Sequence, residues 1–106
     1  VRFLREFAPR VVHVHGKDTE LFGEALYEYG HEQAPTFGKG HGFGSVAWRY
    51  TLPGYGVFPW VEGFGILKAA GYQGCVCVEL EDENFNGSTA GEQRGLILSR
   101  SYLEGC

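Results

Sequence analysis

The eight residues Val11-Val12-His13-Val14-His15-Gly16-Lys17-Asp18 constrain the fold more than any other stretch of this chain. Side chains alternate along a strand, so as a strand this segment carries His13 and His15 on one face and Val12 and Val14 on the other. The hydrocarbon face needs helices to cover it, and the imidazole face needs polar partners. The pattern predicts a strand over residues 10–15 whose inner face carries chemistry, which raises the question of what shares a site with His15.

Residues 74–80 repeat the split. Cys75, Cys77 and Glu79 fall on one face and Val76, Val78 and Leu80 on the other, so a carboxylate ends the inner face. Between and around these two segments the elements alternate. Residues 1–8 read as a helix stopped by Pro9. Residues 20–29 read as a helix capped by Asp18 and Thr19 and ended by Gly30. Residues 48–52 read as a strand with Arg49 and Thr51 on one face, broken by Pro53-Gly54-Tyr55-Gly56. A helix over 58–70 has Pro59 in its first turn, a stripe of Trp60, Phe64 and Leu67, and Gly71 as its end. Thr89-Ala90-Gly91-Glu92 has the spacing of a capping box and opens a last helix reaching Leu103.

This helix–strand alternation predicts an α/β fold with a parallel sheet. Inner faces that turn polar at their C-terminal ends fit the catalytic rim of a (β/α)8 barrel. Such a barrel needs about 250 residues, so residues 1–106 are expected to be one partial domain supplying the last three βα units. The chain has no methionine and opens inside an apparent helix, which adds to the expectation of a piece of a longer protein. The glycine-rich stretch 30–47 lacks the Walker pattern and no strand feeds into it, so it is read as a long loop and not as a phosphate cradle.

The net charge of −4 argues against a nucleic-acid partner. No apolar run approaches the ~20 residues of a membrane span. Three cysteines, two alternating on one strand, do not make a disulfide framework. They read as ordinary buried thiols in a reducing, cytoplasmic setting.

Four stretches together resemble one family. They are His13-Val14-His15-Gly16-Lys17-Asp18-Thr19-Glu20, Trp48 through Pro53-Gly54-Tyr55-Gly56, Ala70-Gly71-Tyr72-Gln73-Gly74, and Val78-Glu79-Leu80-Glu81-Asp82. In order and spacing the chain is similar to the C-terminal part of the sugar phosphate isomerase/epimerase family, the xylose isomerase-like TIM barrels. The resemblance implies a divalent metal, manganese first, with cobalt, zinc or magnesium as alternatives. It implies His15 and Glu79 as metal ligands, Glu79 also as an acid/base group, and the remaining ligands on strands outside this chain. It further implies Lys17, Asp18 and Arg49 in contact with a sugar or sugar phosphate, with His13 and Glu81 supporting the ligands. Many members carry an arginine where this chain has Thr51. Arg49, two positions earlier on the same face, is then the candidate substitute. Pro59 stands where an acidic residue often precedes the tryptophan.

Moving a proton beside a sugar carbonyl requires an electrophile for the oxygen, a base for the C–H proton and an acid to return one. The expected function is therefore metal-dependent isomerisation or epimerisation through an enediolate. Two alternatives stay open: a DNA-repair phosphodiesterase resembling endonuclease IV on the same barrel, and a segment without activity of its own. Association into a homo-oligomer is also left open.

Overall fold

A computed structural model describes residues 1–31 and 38–106. The part of the glycine-rich loop at 32–37 lies outside the described residues. The fold is mixed α/β. Helix α1 (Arg2–Phe7) passes at Pro9 into a 3-10 turn (Ala8–Arg10), and strand β1 (Val14–Gly16) follows. Strand β2 (Asp18–Leu21), helix α2 (Gly23–Tyr29), strand β3 (Trp48–Thr51) and helix α3 (Trp60–Ala69) come next. Strand β4 (Val76–Val78) and helix α4 (Thr89–Glu104) complete the order.

β1 and β4 pair in parallel, with Val14 opposite Val76, His15 opposite Cys77 and Gly16 opposite Val78. The ladder is extended at its end by Glu79 N–H donating to the Gly16 carbonyl at 3.1 Å. This parallel pair, whose connection runs through β2, α2, β3 and α3, is the part of the expected βα architecture that is present. The expected third parallel strand is not. β3 pairs antiparallel with β2, Asp18 facing Thr51 and Leu21 facing Trp48. The local alternation of residues 48–51 suits either direction; the partner, not the pattern, decides it. The described residues therefore hold one parallel pair and one antiparallel pair in place of three parallel strands.

Asp18 and Thr19 do not cap a helix, because they belong to β2, and α2 begins at Gly23 without a side-chain cap. Pro59 precedes α3 instead of entering its first turn. The capping box is displaced by one residue: Ser88 is the cap, its Oγ accepting from Gly91 N–H at 3.1 Å. Glu92 instead accepts from Gly87 N–H at 3.4 Å.

α3 ends as the sequence predicts. Gly71 has φ +79°, and the bonds Gly71 N–H to Lys68 O and Tyr72 N–H to Leu67 O close the helix in a Schellman arrangement. The buried face of α3 is Trp60, Gly63 and Leu67. Gly63, a weak helix former, is there for closeness: a Cβ on it would lie 2.9 Å from the Phe58 ring. α3 packs on α1 and its following turn, and α4 packs on β4. Gly95 serves α4 similarly, since a Cβ there would lie 2.8 Å from Leu80. The most buried apolar side chains are Ala8, Ala47, Leu52, Trp60 and Leu67. No helix among the described residues is long and apolar enough to cross a membrane.

Candidate functional site

The C-terminal ends of β1 and β4 bring four predicted residues together. His15 and Lys17 leave the same side of one strand, and Glu79 and Glu81 leave the same side of its parallel neighbour. The Glu79 carboxylate lies between the two side chains of the first strand. Its Oε2 is 2.9 Å from His15 Nδ1, and its Oε1 accepts from Lys17 Nζ at 2.8 Å. Lys17 also donates to Glu81 Oε2 at 2.9 Å. The Lys17 ammonium stands 4.1 Å from the centre of the Tyr50 ring, an arrangement in which the ring's negative face attracts the cation.

This pairing sets the ionisation of the group. The bond from Lys17, and then that from His15, holds the Glu79 carboxyl below the usual glutamate range. Partial desolvation pulls the Lys17 ammonium down, but its bonds to Glu79 and Glu81 outweigh that, and its pKa rises above that of an ordinary lysine. The site thus holds an ionised carboxylate and a firmly protonated amine.

His13 stands edge-on to His15, ring centres 5.2 Å apart, so it touches the candidate ligand without sharing its carboxylate. Cys75 and Cys77 lie on the same side and are exposed. This corrects the expectation of buried thiols: within the described residues this inner face is open.

Asp18 and Arg49, predicted to meet substrate, are placed elsewhere. Asp18 is 2% exposed. Its Oδ1 accepts from Thr19 N–H at 2.8 Å and Phe58 N–H at 3.0 Å; its Oδ2 accepts from Gly54 N–H at 3.1 Å and Trp60 Nε1–H at 2.7 Å. One carboxylate thus ties β2 to the Pro53–Gly56 turn and the start of α3, and four donors already surround it. Arg49 is 9% exposed, with its guanidinium on Glu20 Oε2 at 2.8 Å and on Asp82 Oδ1 at 2.9 Å. Burial disfavours the Arg49 charge, but Glu20 and Asp82 outweigh it and raise its pKa further. Both residues, in this arrangement, hold the loops that carry the site.

Asp82 is the residue that the sequence reading missed. It is 1% exposed and accepts from Thr51 Oγ1 at 2.7 Å, Asn84 N–H at 2.8 Å and Arg49. Burial pushes its carboxyl up, but these three donors together hold it below the usual aspartate range. The face shared by Arg49 and Thr51 was legible from alternation; nothing local announced the aspartate that both of them meet. Tyr50 was likewise unmarked, since its partner lies on another element. Beyond it, Glu83 fastens the described end of the glycine loop, accepting from Gly42 N–H at 2.6 Å and lying 2.8 Å from His41 Nδ1. His41 stacks on Phe22 with ring centres 4.1 Å apart.

His15 Nδ1 and Glu79 Oε2 suit a divalent cation in kind and in spacing. Neighbouring ligands of an octahedral ion with bonds of about 2.0–2.1 Å lie about 3 Å apart, close to the 2.9 Å found here. Imidazole plus carboxylate is a donor pair used with manganese, zinc, cobalt and iron. Among the described residues no group of three His, Cys, Asp or Glu side chains is arranged to hold a metal. No protein-family profile matches the chain, and no curated protein is found to be similar to it.

Proposed function

We propose that the chain is part of a divalent-metal-dependent sugar or sugar-phosphate isomerase/epimerase, and that its parallel pair belongs to a (β/α)8 barrel. The observation carrying this reading is the His15 Nδ1–Glu79 Oε2 approach of 2.9 Å across the C-terminal ends of two parallel strands. That is the end of a parallel sheet where α/β proteins bind ligands. In this reading His15 and Glu79 are two of the ligands, and the others come from strands outside the chain. His15 and Glu79 would hold the ion, which when bound would supply an electrophile for the sugar's carbonyl oxygen.

The chain's own residues do the rest. Glu79 is ionised at neutral pH and is the group that takes the proton from the carbon beside the carbonyl. Lys17, itself seated on Glu81, holds that carboxylate in place, and His13 packs on His15. Asp18, Arg49 and Asp82 fix the turns around them. The three free thiols accord with a reducing, cytoplasmic location. The acidic groups around the site disfavour the phosphodiesterase alternative, which needs a surface attractive to a polyanion.

Manganese titration of the full-length parent tests the reading. We expect affinity to fall at least tenfold in His15→Ala and in Glu79→Gln, and exchange of the sugar's α-proton with solvent deuterium to vanish in Glu79→Gln. Unchanged affinity in both variants would sink it.

A further inference from the structure

The step Asn86-Gly87, between β4 and α4, sets a side-chain amide beside the least hindered backbone nitrogen a following residue can offer. In such a step the Gly87 nitrogen can attack the Asn86 carboxamide carbon. A C–N bond forms, the nitrogen gives up its proton, ammonia leaves, and a five-membered imide remains. Water then opens that ring on either side, leaving aspartate or its backbone-lengthened isomer, isoaspartate. The only co-reactant is water. The chain's other asparagine, Asn84, is followed by Phe85, whose side chain hinders the same attack.

The fold holds this amide. Asn86 is half-buried, its Oδ1 accepts from Asp82 N–H at 2.8 Å, and its Nδ2 donates to the Leu80 carbonyl at 3.2 Å. The main chain adds a third tie, Asn86 N–H to the Asp82 carbonyl at 2.9 Å. The attacking group is engaged as well, since Gly87 N–H donates to Glu92 Oε1 at 3.4 Å. Ring closure turns the carboxamide toward Gly87 and gives up its two bonds. Two hydrogen bonds of ordinary net strength slow a reaction that must first break them about tenfold or more.

What the amide braces is the turn that carries the site. Leu80 lies between Glu79 and Glu81, and Asp82 is the buried aspartate that receives Arg49 and Thr51. An aspartate at position 86 would keep an acceptor for Asp82 N–H. It would set a second acceptor against the Leu80 carbonyl, where a donor now stands, and add a negative charge close to Glu81, Asp82 and Glu83. Isoaspartate would also lengthen the main chain just ahead of Ser88, the cap of α4.

We propose that Asn86 is a modification site that the fold holds shut, and that its hydrolysis to aspartate or isoaspartate releases the turn carrying Glu79, Glu81 and Asp82. The metal and sugar readings play no part in this.

The experiment ages the full-length protein at neutral pH, without metal or sugar, in buffer and in parallel in denaturing urea. Peptide mapping by mass spectrometry follows the one-dalton gain at Asn86, and chromatography separates the aspartate product from isoaspartate. The gain is expected in both samples, about tenfold slower or more in the folded one. Equal rates would overturn the proposal, as would an unfolded chain that leaves Asn86 intact. Asn86→Asp tests the consequence directly. Hydrogen exchange at the Asn84 and Phe85 amides, both of which donate to Asp82, is expected to quicken about tenfold or more; unchanged exchange would overturn the claimed release. The rate comparison uses the wild-type protein alone, so it decides the matter even if the variant does not fold.

Discussion

Asp18→Asn replaces one oxygen of a buried carboxylate by an NH2 group and changes almost nothing in shape. Each Asp18 oxygen accepts two N–H donors at 2.7–3.1 Å. Whichever way the amide turns, its nitrogen faces two donors and accepts neither. Hydrogen bonds to a charged partner contribute about 1.5–3 kcal/mol each, and a buried donor left unsatisfied forfeits its full desolvation. Two such losses, allowing for relaxation, amount to about 3–5 kcal/mol, a large share of the about 5–15 kcal/mol that holds a typical domain. Urea denaturation followed by Trp60 fluorescence measures the loss, since that indole is one of the four donors. A change below about 1 kcal/mol would refute the reasoning and return Asp18 to the role of a ligand contact.

Gly56, Ser88 and Asp82 give three further expected outcomes. Gly56→Ala places a Cβ against the Asp18 carboxylate and the Thr19 carbonyl; overpacking of this kind costs about 1–3 kcal/mol, visible as a lowered urea midpoint. Ser88→Ala removes the cap of α4 and lowers stability by about 1 kcal/mol, measured the same way. Asp82 titrates below its unfolded value because of its donors. Its contribution is therefore present above an unfolded pKa of about 3.9 and is lost as pH falls through the lower folded value. Between pH 5 and pH 2 the wild type should lose more stability than Asp82→Asn; parallel acid profiles would contradict that.

The legible part of this molecule was the part governed by short periods. Alternation put His15 and Glu79 on the inner faces of their two strands, and a glycine after an apolar stripe marked the end of α3. The illegible part was pairing. Residues 48–51 alternate in a way that fits a parallel or an antiparallel neighbour, and only the bonds to β2 decide. Asp18 before Thr19 looks like a helix cap because capping residues are the short polar ones. Its carboxylate instead serves donors 36 to 42 residues away at Gly54, Phe58 and Trp60. Asp82 looks solvated for the same reason: its partners Arg49 and Thr51 lie more than thirty residues earlier. Conversely, Cys75 and Cys77 read as buried from residue type, yet the face that carries them is open.

The central claim is that His15 and Glu79 form a cation-binding pair. Manganese relaxes nearby nuclei strongly, so its site is read residue by residue from signal broadening on titration. Broadening is expected to centre on His15 and Glu79 and to weaken at least tenfold in His15→Ala and in Glu79→Gln. Broadening that centres elsewhere, or that survives both substitutions unchanged, would contradict it.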